Sequence, residues 1–350
     1  MKSTSVVALI VILILGFAYF HSSRVQTSQT TSQQTTTIIP NGNFEGIFWP
    51  TVLLGVTFGN SSTDIPFLQM LQSAGVKTVV LETDPTFFQT YISRFSQVIT
   101  EARGMGFKIH IINQLAYSGW YNLAELPLPF SSTPSLSQFT AFETQAMNAY
   151  ASFHPDYLSV LAEPSLYHSK MGTSFTDAQI ETLTSSLCST VQSISPQTQT
   201  WIDLIPSNTQ TSFISGLAAI GNLNAIGLDY YGDSSSYSLI TALSNAITSS
   251  GKIGGFTETW AYGLYSAPQY DTSATVSAQA AWFSSAYSLA SSLNMTGAFD
   301  PFFTEKFVST SPLILPFTSQ GMQTMFNQLY SGLLLNQRTS IFSAYQSVIQ

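Results

Sequence analysis

Two glutamates stand where a strand-like run gives way to a loop: Glu163 in Leu161-Ala162-Glu163-Pro164, and Glu258 in Phe256-Thr257-Glu258-Thr259-Trp260. Two carboxyl groups facing one substrate can divide the work of acid and base. One, kept protonated by its surroundings, delivers a proton to a leaving oxygen; the other, ionised, sets negative charge against an electron-poor carbon. The chain has only eighteen Asp and Glu. Half of them stand at or just past an expected strand end: Glu82, Asp84, Glu163, Asp203, Asp229, Asp233, Glu258, Asp300 and Glu305. Asp84, ahead of Pro85, and Asp233, ahead of its serines, equally suit helix N-caps. Aromatic residues gather at the same ends, among them Tyr117, Trp120, Tyr121, Tyr230, Tyr231, Trp260, Tyr262, Phe302 and Phe303. Trp120 and Trp260 are the best candidates for flat apolar surfaces on which a ligand stacks, although any one of these rings can equally fill space. Trp201 and Trp282 fall inside a strand and a helix and are expected in the core.

The elements that must position these groups follow a regular march. Expected strands are Val52–Phe58, Thr78–Thr83, Lys108–Gln114, Tyr157–Ala162, Thr200–Ile205, Ala225–Tyr230, Ile253–Thr257 and Thr296–Phe303. Between them lie helix-length segments with apolar residues three and four apart, such as Phe87-Tyr91-Phe95-Ile99 and Ile240-Leu243-Ile247. Gly75, Gly106 and Gly251 each precede a new strand, where a helix C-terminal glycine belongs. Strand–helix–strand spacing of this kind implies parallel pairing with right-handed crossovers. The fold class is α/β, and eight such units predict a single (β/α)8 barrel, with a last helix over Thr339–Ile349. A doubly wound sheet would usually carry a Gly-rich phosphate turn, and no G-x-G-x-x-G occurs. In a barrel, chemistry sits at the C-terminal strand ends, where the acids collect.

Glu163 ending the fourth strand and Glu258 the seventh, with these local sequences, resembles the clan A (β/α)8-barrel retaining glycoside hydrolases, which include cellulases, mannanases and endo-galactanases. Ala225-Ile226-Gly227-Leu228-Asp229-Tyr230-Tyr231 and the aromatic Phe302-Phe303 add to the likeness, which spans roughly residues 50 to 335 and assigns no family within the clan. The resemblance implies that Glu163 is the acid/base and Glu258 the nucleophile of a double displacement on a β-linked poly- or oligosaccharide. Such enzymes hold the two carboxyls about 5–5.5 Å apart. Tyr231, with Tyr230 as a nearly equal candidate, would donate its hydroxyl to Glu258. Two positions depart from the pattern: Ala162 replaces the usual Asn before the acid/base, and Val79-Val80-Leu81-Glu82 lacks the Arg many members carry after the second strand. Gln114 or Asp203 can supply substitute hydrogen bonds, and Asp229 joins the expected substrate-binding set. The competing reading is a non-catalytic, surface-displayed barrel that binds glycans or mediates adhesion.

Composition narrows the classes further. Hydrophobic residues make up 44% of the 350 and charged residues 8%, against roughly 25% charged in an ordinary soluble protein. Ten Lys and Arg against a net charge of -8 exclude nucleic acid as a partner. Cys188, the only cysteine, sits in an apolar-periodic run and reads as core. No His-x-x-x-His or cysteine cluster exists, so neither metal nor other cofactor is expected. His110 reads as a satisfied core residue, and no Gly-x-Ser-x-Gly elbow supports a serine hydrolase. Residues 1–22, with the apolar run Val6 to Phe20, read as a signal peptide or a membrane anchor. Residues 23–46 form a Ser/Thr/Gln-rich linker ahead of a catalytic domain at 47–350. Sequons at Asn60 and Asn294 fit an exported glycoprotein, expected to be extracellular, secreted or tethered, and monomeric.

Overall fold

The computed structural model describes residues 45–48, 59–114, 130, 133–167, 171–230, 237–259, 273–298, 307–308 and 319–349. Within them the chain alternates strand and helix. The strands are β1 (Glu45–Phe48), β2 (Thr78–Thr83), β3 (Lys108–Asn113), β4 (Tyr157–Ala162), β5 (Gln199–Leu204), β6 (Ala225–Tyr230), β7 (Ile253–Thr259) and β8 (Thr296–Ala298). Helices α1 (Ser61–Ser73), α2 (Pro85–Thr90), α3 (Ile92–Gly104), α4 (Leu136–Ala151), α5 (Asp177–Ile194) and α6 (Thr211–Ala218) fill the first connections. The later ones hold α7 (Tyr237–Ser249), α8 (Ser273–Ser292), α9 (Ser319–Leu334) and α10 (Ser340–Ile349). Every strand pairs in parallel with its sequence neighbours, and β1 also pairs with β8 through Glu45↔Gly297 and Gly46↔Ala298. The α/β class and the six inner strands β2 to β7 fall where the sequence placed them, to within two residues.

One expectation needs correcting, and two others reach outside the described residues. The first strand lies at Glu45–Phe48, ahead of the expected Val52–Phe58, which is outside the described residues; it also straddles the expected linker boundary at 46/47. The eighth strand is described only over Thr296–Ala298. The run Phe87 to Ile99 is two helices, not one: Tyr91 adopts φ -111°, ψ 24°, ending α2 and opening α3. The apolar period continues across this break because Phe87, Tyr91 and Phe95 still pack ring to ring.

Local chemistry explains the boundaries. Asn60, Ser135 and Thr176 cap α1, α4 and α5 with reciprocal capping boxes, and the Asp84 carboxylate accepts from the Phe87 N–H at 2.7 Å. Gly75, Gly106 and Gly251 take φ of +88°, +88° and +80°, the left-handed turn that releases the chain from helix to strand.

The sheet has two apolar sides. Val79, Leu81, Ile109, Ile111, Leu158, Ile202, Ile226, Leu228 and Phe256 face the helices and join the main core with Cys188. A separate cluster of Val80, Ile112, Tyr157, Ala162, Trp201 and Ala225 fills the inner face. Trp201 is core, as expected; Trp282 is only half-buried. His110 also lies on the inner face, its Nε2 2.8 Å from the Ser159 hydroxyl. Burial pushes it down to about 3, so it stays neutral.

Candidate active site

Strict alternation of a strand would not aim Glu163 and Glu258 together. On β4, Tyr157 faces inward, while Val160 and Leu161 both belong to the helix-facing core and Ala162 returns to the inner cluster. The β4–β5 register records the same event: Ser159↔Trp201 is followed by Leu161↔Ile202 and Ala162↔Asp203, one extra residue on β4. Such a bulge re-aims the side chains beyond it. Glu163 then adopts φ 50°, ψ 50°, a left-handed conformation uncommon for a residue with a Cβ. Its N–H donates to the Asp203 carbonyl at 3.0 Å, and its own carbonyl accepts from Leu166, which starts the short turn Pro164–Leu166.

β7 repeats the device. Leu228↔Phe256 is followed by Asp229↔Glu258, so Thr257 is an extra residue on β7. Phe256 faces the helices, whereas the Thr257 hydroxyl donates to Asp229 Oδ1 at 3.3 Å. Glu258 thus comes level with Asp229, which shares the inward side of β6 with Ala225 and Gly227. Glu163 and Glu258 are each only 5% exposed.

Gln114, just past β3, donates its Nε2 to Glu163 Oε2 at 2.6 Å. Ala162, next to Glu163, points inward with a methyl only. Asp203 lies beside this pair on β5 and is buried. Burial pushes its pKa up to about 7, opposed by the nearby Ser159 and Thr257 hydroxyls and reinforced by the Glu163 charge. Asp229 is likewise raised, first by burial and then by Glu163, Asp203 and Glu82. Among the described residues, the side-chain charges that act on these two aspartates are carboxylates. Glu82, half-buried on β2, joins this acid ring.

Tyr230 does not belong to this ring. Its side chain stacks on Trp282 at 5.7 Å and packs on Phe256 at 5.5 Å, within the helix-facing core. Alternation along β6 explains this, since Asp229 takes the inward position. Tyr231, Trp120 and Trp260 lie outside the described residues, as do Tyr117, Tyr121, Asp233, Tyr262, His168, Asp300, Phe302, Phe303 and Glu305. Asp84 serves as a cap, and Thr257, Ser159 and Gly227 are members of the site that sequence reasoning passed over. Gly227 leaves the room its neighbours use: a Cβ there would stand 2.5 Å from Thr257 and 2.6 Å from Asp203 Oδ1. Among the described residues no group of three metal-binding side chains occurs.

The arrangement joins two buried glutamates, one held by an amide donor and the other level with a proton-retaining aspartate, at one end of a parallel sheet. No protein-family model matches the chain, and no curated protein resembles it significantly in sequence. Solved structures do. A glycoside hydrolase family 5 enzyme from Prevotella bryantii B14 matches with TM-score 0.55 at 11% identity, over 87% of this chain and 96% of that one. The endo-1,4-β-mannanase of Rhizomucor miehei matches with TM-score 0.53 at 12% identity, over 89% and 99%. A family 10 endoxylanase from a sugarcane soil metagenome matches with TM-score 0.52 at 13% identity, over 75% and 86%. At such identities the likeness shows the fold that this chain shares with clan A glycoside hydrolases.

Proposed function

We propose that this protein is a retaining glycoside hydrolase with a complete (β/α)8 barrel, acting on a β-linked poly- or oligosaccharide. The observation that carries the reading is two buried glutamates at the end of the sheet that the fold's known enzymes use, Glu258 turned inward by the β7 bulge and Glu163 by its left-handed backbone just past the β4 bulge. Glu163 protonates the leaving oxygen and later takes a proton from water. Glu258 attacks the anomeric carbon, and the resulting glycosyl-enzyme is released by that water. Gln114 orients Glu163 through its 2.6 Å hydrogen bond. Asp203 and Asp229 hold the floor beneath them, while Tyr231, Trp120 and Trp260 are the substrate contacts expected from their places in the sequence.

The ionised Glu258 of this reading disfavours uronates and sulfated sugars, so a neutral glycan is the proposed substrate. The N-terminal apolar segment and polar stalk support export, with the protein secreted or tethered at the cell surface and acting as a monomer. The test is hydrolysis of a panel of neutral plant, fungal and microbial polysaccharides beside polygalacturonate, with the first-formed anomer read by NMR. Cleavage of a neutral polymer with retention is expected. An inverted product refutes the mechanism. Glycan binding without cleavage by the wild-type chain would return the protein to the class of adhesive barrels.

A further inference from the structure

Thr257 occupies an unusual place: it is the residue that β7 inserts between the pairs Leu228↔Phe256 and Asp229↔Glu258. Its side chain sits over Gly227, where a Cβ would stand 2.5 Å from both Thr257 Cγ2 and Oγ1. The methyl fills a space that exists only because residue 227 is glycine, and the hydroxyl reaches Asp229 at 3.3 Å. Both partners are buried, Thr257 completely.

A bulge without such a tie can slip back into regular register. Thr257 would then stand opposite Asp229, and Glu258 would turn toward the layer that holds Phe256 and Tyr230. We propose that Thr257 and Asp229 are positioning residues for Glu258: their contact across the β6–β7 seam locks the bulge that holds the Glu258 carboxyl on the inner face. The catalytic consequence rests on the reading of Glu258 as nucleophile; the positional claim does not. Thr257 matches the seam in both its parts. Valine keeps the methyl and loses the tie, while serine keeps the tie and loses only the methyl.

The experiment uses the full chain with carbon-13-labelled Glu carboxyls, the Glu258 resonance being identified by its loss in Glu258→Gln. Thr257→Val is expected to move that resonance and to shift its titration midpoint by about one pH unit or more. Thr257→Ser is expected to restore both. On a hydrolysed glycan, Thr257→Val lowers kcat by about tenfold to a hundredfold with KM little changed. A Thr257→Val protein that titrates and turns over as wild type overturns the proposal while leaving the glycosidase reading intact. If wild type hydrolyses nothing, the titration decides alone. If Thr257→Val does not fold, Asp229→Val removes the same contact from the other side; an unmoved Glu258 resonance there overturns the proposal equally.

Discussion

The inner face of the sheet has two floors built from the same strands, and they obey different rules. The lower floor holds Val80, Ile112, Tyr157, Trp201 and Ala225, with His110 and Ser159 hydrogen-bonded to each other among them. The upper floor, about two residues further along each strand, holds Gln114, Glu163, Asp203, Asp229 and Glu258. Below, the buried ring of His110 gives up its charge and bonds a hydroxyl through Nε2. Above, several carboxyls share one buried region, and among the described residues the charges acting on the aspartates are negative. The lower floor is what folding would select; the upper floor, with its buried acids, opposes folding.

Breaking each floor should therefore give opposite signatures. Glu258→Gln is expected to remove catalysis, lowering kcat on the order of 10⁴-fold or more, with the melting temperature unchanged or raised. Normal turnover in that variant would place the nucleophile elsewhere. Trp201→Ala empties the centre of the lower floor, where the indole lies against Gly255. It should cost about 3–5 kcal/mol in denaturant unfolding while the folded fraction keeps its activity within about tenfold. Should Trp201→Ala instead inactivate without destabilising, the division into floors fails.

The lower floor and the helix layer were legible in the sequence because both are written in period. Inward and outward residues alternate along β2, β3 and β6, and the glycines that end helices announce themselves before each strand. The upper floor was legible in kind, since acids at strand ends are visible in a charge-poor chain. Its geometry was not. Alternation puts Tyr230 and Asp229 on opposite faces but does not say which faces inward, and the two bulges invert the phase of β4 and β7 just before the glutamates. A one-residue insertion leaves no mark in composition. Only the pairing with the neighbouring strand reveals it. Nothing in the sequence marks Thr257 as the inserted residue, or Gly227 as the opening that admits Thr257 and Asp203.

The cost of the upper floor can be read against pH. The Asp203 pKa is pushed up to about 7 from an ordinary 3.8, so across that window the folded chain holds a proton that the unfolded chain has released. Stability is then fullest below about pH 4 and falls as pH rises through about 7. Glu143, pushed up to about 8 by burial, adds to the same slope from the helix side. Chemical unfolding at pH 4.5 and pH 8 should show the wild type weaker at pH 8. Asp203→Asn, isosteric with the protonated acid, should recover roughly 2–4 kcal/mol at pH 8 and little at pH 4.5. His110, held neutral by burial, opposes this slope below about pH 6.5, so the variant is the readout: no gain at pH 8 in Asp203→Asn would show that the carboxyl finds solvent or a partner.

The smallest effect isolates the contact of Gln114, which donates to Glu163 at 2.6 Å beside the methyl of Ala162. Gln114→Leu keeps the bulk and removes the donor, leaving one buried oxygen of Glu163 short of that bond, a loss of about 1–3 kcal/mol. The deficit should appear as a roughly fivefold to hundredfold fall in kcat/KM. Ala162→Asn in the same background offers an amide from the adjacent position on β4. If Gln114 does the work of the missing Asn, the double variant recovers part of the lost activity, whereas Ala162→Asn alone adds little. Additive losses in the two variants would mean that Gln114 contacts substrate instead of holding the acid.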